Sequence, residues 1–256
     1  MIALYTEEEF TQLEQEERDL TDESIAVMLL ILANTKSSLE KELRNFYQEY
    51  GKDGVVTYSE ARKWISEEDH RRRLTALLTI LTLEFNNALI KVQKEFEKML
   101  KSVIGKETGF FDVEIDIEKI LDMDWGVGEL TWLKRLEDDF NLWNVYIAND
   151  WKRSMLQRKQ LEDVLKLLDK RFTTIESLVT TLGLTESTAI GSLARQKIFK
   201  ELGITKYQFY TKPDERRCET CGSMHGLIFP ISAYEVGSTA SPIHPRCRCW
   251  EVPIVD

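Results

Sequence analysis

All four cysteines and two of the three histidines fall in the last 39 of 256 residues. They read Cys218-x2-Cys221, then His225, then His244-x2-Cys247-x-Cys249. Thiolate sulfur and imidazole nitrogen are the donors zinc prefers, and two short loops that each present two of them have the pairwise spacing of a tetrahedral site. Six candidates exceed the four positions of one such ion. The spacing favours Cys218, Cys221, His244 and Cys247, with Cys249 as first replacement and His225 as second. One or two disulfides, or four free thiols in a core, are competing readings, the first of which a reducing cytoplasm disfavours.

A site closed by four protein ligands has no open position for a substrate, so the reading is structural zinc rather than catalytic zinc. Glu215 and Glu219 flank the first two cysteines, but the order Cys, Cys, His, Cys lacks the His-x-Glu of zinc deaminases. No Gly-rich phosphate loop, His-Glu-x-x-His or nucleophile elbow occurs elsewhere. No catalytic residue and no small-molecule substrate are therefore expected.

The elements that carry this cluster read as helices followed by short strands. Thr6-Glu7-Glu8-Glu9 has the form of a capping box opening a short helix. From Thr21 a second helix is predicted, with Ile25, Met28 or Leu29, Leu32, Leu39, Leu43, Phe46 and Tyr50 on one face, ending at Gly51. After the turn at Gly51 to Gly54, Thr57-Tyr58-Ser59-Glu60 suggests another short helix start. Leu74, Leu78, Leu81, Phe85, Ala88, Val92, Phe96, Met99 and Val103 form the most regular stripe, a long helix that must bury itself against the second helix, another copy or a partner.

Gly105 and Gly109 are expected to break that helix. Phe111, Val113, Ile115 and Ile117 then alternate with acids, as in a short strand or extended hinge, although Ile117 to Leu121 could also begin a helical turn. Trp125, Trp132, Leu136, Phe140 and Trp143 resume a packed helical pattern, which continues through Leu168 and on to Leu202, where Gly203 closes it. Beyond Gly203, Tyr207, Phe209 and Tyr210 read as a strand, Pro213-Asp214 as a turn, and Pro230, Gly237, Pro242 and Pro245 punctuate short pieces. The fold class is thus α+β: a mainly helical N-terminal region with long amphipathic helices and a small, irregular, β-containing, zinc-stapled C-terminal domain. The expected divisions are 1–104, a helical hairpin; 105–124, a hinge; 125–202, helical; and 203–256, the Cys/His module.

The composition, 43% apolar and 30% charged, excludes a disordered chain. The longest uninterrupted apolar run, Ile25 to Ala33, is shorter than a spanning helix needs, so no membrane association is expected. Glu7, Glu8 and Glu9 stand where a secretory signal would be basic, which predicts a cytoplasmic chain. The net charge is -10, and residues 1–50 hold 4 basic against 12 acidic side chains. Such a front repels phosphate backbones and argues against a grip on DNA along the whole length. Arg71, Arg72 and Arg73 form the one dense basic run, read as a solvated helix end.

The segment Gly203 to Val252 resembles the C-terminal domain of phage Mu F-like minor head proteins, also called head morphogenesis proteins. The shared pattern is an aromatic strand, then Asp214-Glu215-Arg216-Arg217-Cys218-Glu219-Thr220-Cys221, His225-Gly226, and His244-Pro245-Arg246-Cys247-Arg248-Cys249. Upstream, where the family often has Arg-Thr-Glu, this chain has Leu184-Thr185-Glu186, and Leu184 cannot supply an arginine's chemistry. The resemblance implies a low-copy virion component at the portal vertex, present in the host cytoplasm during assembly, and acting in procapsid assembly and in DNA packaging or delivery. It implies the portal protein as partner, with the major capsid or scaffold protein and phage DNA as further candidates. The alternative is a toxin-type enzyme, a nuclease or ADP-ribosyl transferase carrying such a module, resting on Glu186, Glu215, Arg195, Arg216 and Arg217. A third reading places those last two arginines, with Arg246 and Arg248, on phosphate.

Overall fold

The computed structural model describes residues 6–51, 53–56, 68–126, 130–212 and 214–255. The Thr57 to Glu60 helix start and Pro213 lie outside them, as do the side chains of Arg71, Arg73 and Leu74. The fold is α+β. Helices α1 (Glu7–Tyr50), α2 (Glu68–Phe111), α3 (Ile117–Leu121), α4 (Trp132–Leu156) and α5 (Leu161–Glu201) precede strand β1 (Lys206–Thr211), helix α6 (Glu219–Met224) and strands β2 (Ile228–Pro230) and β3 (Cys249–Ile254).

The capping box forms: Thr6 N–H donates to Glu9 Oε2 at 2.6 Å and Glu9 N–H to Thr6 Oγ1 at 3.2 Å. The helix it opens does not stop before Thr21 but runs on to Tyr50. Thr21 is the reason the expected restart is missing. Its hydroxyl donates back to the Glu17 carbonyl at 2.8 Å, the mid-helix habit of threonine, so it caps nothing.

Likewise α2 passes through Gly105 and Gly109 to Phe111. Each glycine costs a helix about 1 kcal/mol relative to alanine. The fully buried Met99, Leu100, Val103 and Ile104 just before them each contribute about 1.5–3 kcal/mol, so packing outweighs propensity. The acid-alternating stretch after Phe111 forms no strand; it leads into α3, which Asp116 caps by accepting from Lys119 N–H at 3.2 Å.

The chain divides into two compact units, residues 27–94 with 136–179 in one, and 1–26, 95–135 and 180–256 in the other. In the first, four helices share a core. Phe85 of α2 packs against Phe140 of α4 and Phe172 of α5, with ring centroids 6.4 and 6.1 Å apart, and Leu39, Leu43 and Phe46 of α1 are buried with them. From Leu77 onward the stripe of α2 is therefore covered within the chain. Leu77 rather than Leu78 is its buried member at that turn. By length and composition α2 from Thr75 is apolar enough to cross a membrane, which is weak evidence on its own.

In the second unit, Phe96 stacks on Trp132 at 5.7 Å and Phe111 meets Phe199 edge-on at 5.6 Å. Helices α1 and α5 approach closely where Gly183 leaves room: a Cβ there would lie 2.9 Å from Ile25 Cγ1. Helix α5 ends as the sequence predicts. Gly203 adopts φ +69°, and Ile204 N–H returns to the Phe199 carbonyl at 2.9 Å. The chain then enters an antiparallel sheet of order β2-β1-β3, with Tyr207 opposite both Phe229 and Pro253. Tyr207, Phe209 and Thr211 of β1 face the core, and the two ligand-bearing loops flank the sheet.

Candidate metal centre

The first loop is shaped by its own cysteine. Cys218 precedes α6 in an extended conformation, and its sulfur accepts the Cys221 N–H at 3.3 Å. The second loop turns through the Cys247 N–H to His244 carbonyl bond at 3.2 Å. Asp214 and Arg248 tie the loops together by a two-fold fork, Nη2 to Oδ1 at 2.6 Å and Nη1 to Oδ2. Both belong to the cysteine motif, and their pairing is visible only in three dimensions.

Between the loops the donors converge. His244 Nε2 lies 3.3 Å from Cys218 Sγ and 3.2 Å from Cys221 Sγ, and Cys221 Sγ lies 3.8 Å from Cys247 Sγ. The donor atoms form two overlapping triads, Cys218, Cys221, His244 and Cys221, Cys247, Cys249, each with its members within 4.8 Å of one another. Cys221 belongs to both. No disulfide forms among the four thiols. Phe209 closes the cluster, with Met224, Phe229 and Ile243 packed against it, and such an apolar shell strengthens attraction between a cation and thiolates.

The electrostatics suit a cation. A hydrogen bond from Cys249 holds the Cys247 thiol down to about 6, and the same bond pushes Cys249 up. The Cys221 amide lowers Cys218. Burial pushes Cys221 up to about 12. Burial opposes charge on His244, yet its contact with the Pro245 carbonyl, at 2.8 Å from Nδ1, and the neighbouring thiols outweigh it and raise its proton affinity. The thiols that ionise more readily are thus one in each loop, Cys218 in the first and Cys247 in the second. Five residues, Cys218, Cys221, His244, Cys247 and Cys249, could hold a metal ion that favours sulfur and imidazole. His225 is engaged elsewhere, where it accepts the Thr211 N–H at Nδ1, 3.2 Å away, and stands edge-on to Tyr210.

The helices grip the second loop directly. Arg246 bonds Thr185 Oγ1 through its amide at 3.1 Å and Thr181 Oγ1 through Nε at 2.9 Å. The Cys247 carbonyl accepts from Arg18 Nη2 at 3.2 Å and Thr188 Oγ1 at 3.3 Å. One step along, Arg195 of α5 is buried among three carboxylates: Glu107 at 2.5 Å, Glu17 at 3.2 Å and Glu251 of β3 at 3.3 Å. Tyr234 donates to Glu251 at 2.9 Å, and Ser241 N–H donates to its other oxygen at 2.6 Å. Burial first, then the Glu107 charge, raises Glu17 well above the ordinary carboxylate range, and burial raises Glu107.

No motif in the sequence marks this network. One signal was available: Glu17 falls in phase with the buried Phe10, Leu13 and Thr21 on a face that should carry no charge.

The residues behind the enzyme reading are scattered among separate duties. Glu186 is buried, accepting from Trp125 Nε1 at 2.8 Å and from Arg135 Nε at 2.6 Å. Arg195 serves the carboxylate network, while Glu215, Arg216 and Arg217 are exposed beside the first loop.

Comparison with curated proteins and with solved structures yields no match. The model of the family described as Phage Mu protein F like protein matches residues 146–252, from inside α4 to the last strand. That span takes in all of α5, including the threonines and Arg195 that hold the second loop and its strand. This part of the chain is accordingly Mu F-like, and the match supports the family of Mu F-like phage head morphogenesis proteins to which the cysteine motif pointed.

Proposed function

We propose that the protein is a phage minor head protein: a low-copy structural component of the virion, made in the host cytoplasm, associated with the portal vertex, and acting in procapsid assembly and in DNA packaging or delivery. The observation that carries this reading is the Mu F-like match over residues 146–252 together with the Cys/His cluster inside it. In this reading the ion is zinc and its role is structural. Cys218, Cys221, His244 and Cys247 hold it, with Cys249 supporting Cys247 and able to replace a ligand. When bound, the ion supplies cross-linking of two loops that lack a large core of their own.

The portal protein is the proposed partner, followed by the major capsid or scaffold protein. Phage DNA is a further candidate, since the exposed Arg216 and Arg217 carry forks that suit phosphate. The test is incorporation. Cys218→Ser and Cys247→Ser should yield particles lacking the protein or stalled at the procapsid stage, as judged by gel analysis of purified particles. Wild-type incorporation and infectivity from both variants would remove the structural role of the cluster. Turnover of DNA or of a nicotinamide dinucleotide by purified protein would favour the enzyme alternative instead.

A further inference from the structure

The stretch Arg246 to Glu251 faces two ways. Cys247 and Cys249 turn their sulfurs into the donor cluster, while the groups between and beside them are held by helices. Arg246 reaches Thr181 and Thr185 of α5. The Cys247 carbonyl lies between Arg18 of α1 and Thr188 of α5. Glu251 accepts from Ser192 of α5 at 3.1 Å as well as from Arg195. Metal donors and helix anchors thus alternate within six residues. Arg246, at the head of the stretch, has φ +59°, a left-handed conformation that is unfavourable for a residue with a Cβ. Strain of this kind persists where the surroundings over-determine it, and here they are the two threonines of α5 and the turn that presents Cys247.

At the Cys247 carbonyl both helices meet the ligand-bearing loop. Arg18 is largely buried, with its Nε on Glu14 Oε1 at 2.7 Å, one turn back along α1, so its second arm is held in place. The Thr188 hydroxyl lies within reach of its own helix, at the Leu184 carbonyl 3.0 Å away, as well as of Cys247. Groups that bond a ligand residue from outside orient it, and losing one typically lowers metal affinity by about 10–100-fold. Were the loop to leave, Arg18 would keep Glu14 and Thr188 would keep Leu184. Both helices would stay satisfied as helices, and what would be lost is a tie between them.

We infer that Arg18 and Thr188 are positioning residues of the metal centre, and that metal occupancy and the seating of the first part of α1 on α5 favour each other. The inference rests on reading the cluster as a metal centre. Coupling of this kind is reciprocal: whatever a bound ion adds to the hold on α1, that hold returns as affinity for the ion. The centre is then a clamp on the helices of its own unit as well as on its two loops.

Titration of the full, reduced chain with Zn2+ in competition with a chromophoric chelator tests this. Arg18→Met and Thr188→Val should each weaken binding by about tenfold or more, with circular dichroism unchanged. Thr188→Ser, which keeps the hydroxyl, and Arg216→Met, which removes an exposed charge beside the first loop, should bind as the parent does. In the unsubstituted chain, withdrawing the ion should raise amide hydrogen exchange across residues 7–26 and 180–195 and leave residues 136–156 unchanged. Parent affinity in both Arg18→Met and Thr188→Val, or an exchange increase confined to residues 214–225 and 243–249, would overturn the coupling and leave the metal centre standing. Failure of the unsubstituted chain to take up Zn2+ would instead overturn the metal reading, and the coupling with it.

Discussion

The guanidinium of Arg195 on α5 and the carboxylate of Glu251 on β3 meet at 3.3 Å, both out of water. Glu251 lies two residues after Cys249, so the strand that leaves the metal cluster is fixed to the long helix by a charge pair. The same guanidinium reaches Glu17 of α1 and Glu107 of α2. Four elements of one unit therefore depend on a single cation.

Removing that cation while leaving its partners buried should be costly. Arg195→Met is expected to destabilise the protein by about 3–5 kcal/mol, the range for a broken buried pair. Urea denaturation followed by circular dichroism measures it. A loss below about 1 kcal/mol would mean that the carboxylates find other partners or protonate freely.

The network also fixes the sign of a pH effect. Glu17 and Glu107 have folded-state pKa values raised above the ordinary 4.5. The folded chain then keeps protons that the unfolded chain releases, so their contribution to stability declines as pH rises from about 4.5 through the raised folded values. Asp214 works the other way. Arg248 lowers it from 3.8 to about 2, giving a contribution present above 3.8 and lost as pH falls through about 2. Glu17→Gln should reduce the stability lost between acidic and neutral pH; urea midpoints at about pH 5 and pH 8 provide the comparison, and an unchanged difference would contradict the assignment.

Two kinds of helical glycine should respond oppositely to alanine. Nothing lies within 4 Å of a Cβ built at Gly105 or Gly109, whereas one at Gly183 meets Ile25 Cγ1 at 2.9 Å. Gly105→Ala and Gly109→Ala should each stabilise by about 0.5–1 kcal/mol through helix propensity. Gly183→Ala should destabilise by about 1–3 kcal/mol through overpacking, and the same change made in an Ile25→Ala background should cost less, because the side chain it meets is gone. Thermal melts of these variants, with Ile25→Ala alone as the reference for the double change, decide it, and a stabilised Gly183→Ala would show that α1 and α5 can move apart without cost.

What the sequence revealed and what it concealed follow from the range of the interactions. The helical stripes, with Leu77 in place of Leu78, the Gly203 stop and the strand at Tyr207 to Tyr210 are local, and the structure contains them, whereas the period-two stretch from Phe111 forms no strand. The Cys/His donors were legible because their types and spacing carry the chemistry, and the structure brings five of them together. The break expected near Thr21 and the stop expected at Gly105 failed because tertiary burial along α1 and α2 outweighs a threonine's capping preference and a glycine's helix cost. The anchors of the second loop, Thr181, Thr185, Thr188 and Arg18, were illegible: each is an ordinary polar residue on a helix until Arg246 and Cys247 arrive from far along the chain.

The measurement that tests the centre most directly is metal content by elemental analysis of purified, reduced protein, with free thiols counted before and after chelation. About one zinc per chain is expected, with thiols that become reactive only once the ion is withdrawn. Protein that is folded, metal-free and carries four freely reactive thiols, or that carries disulfides in their place, would contradict a structural zinc centre.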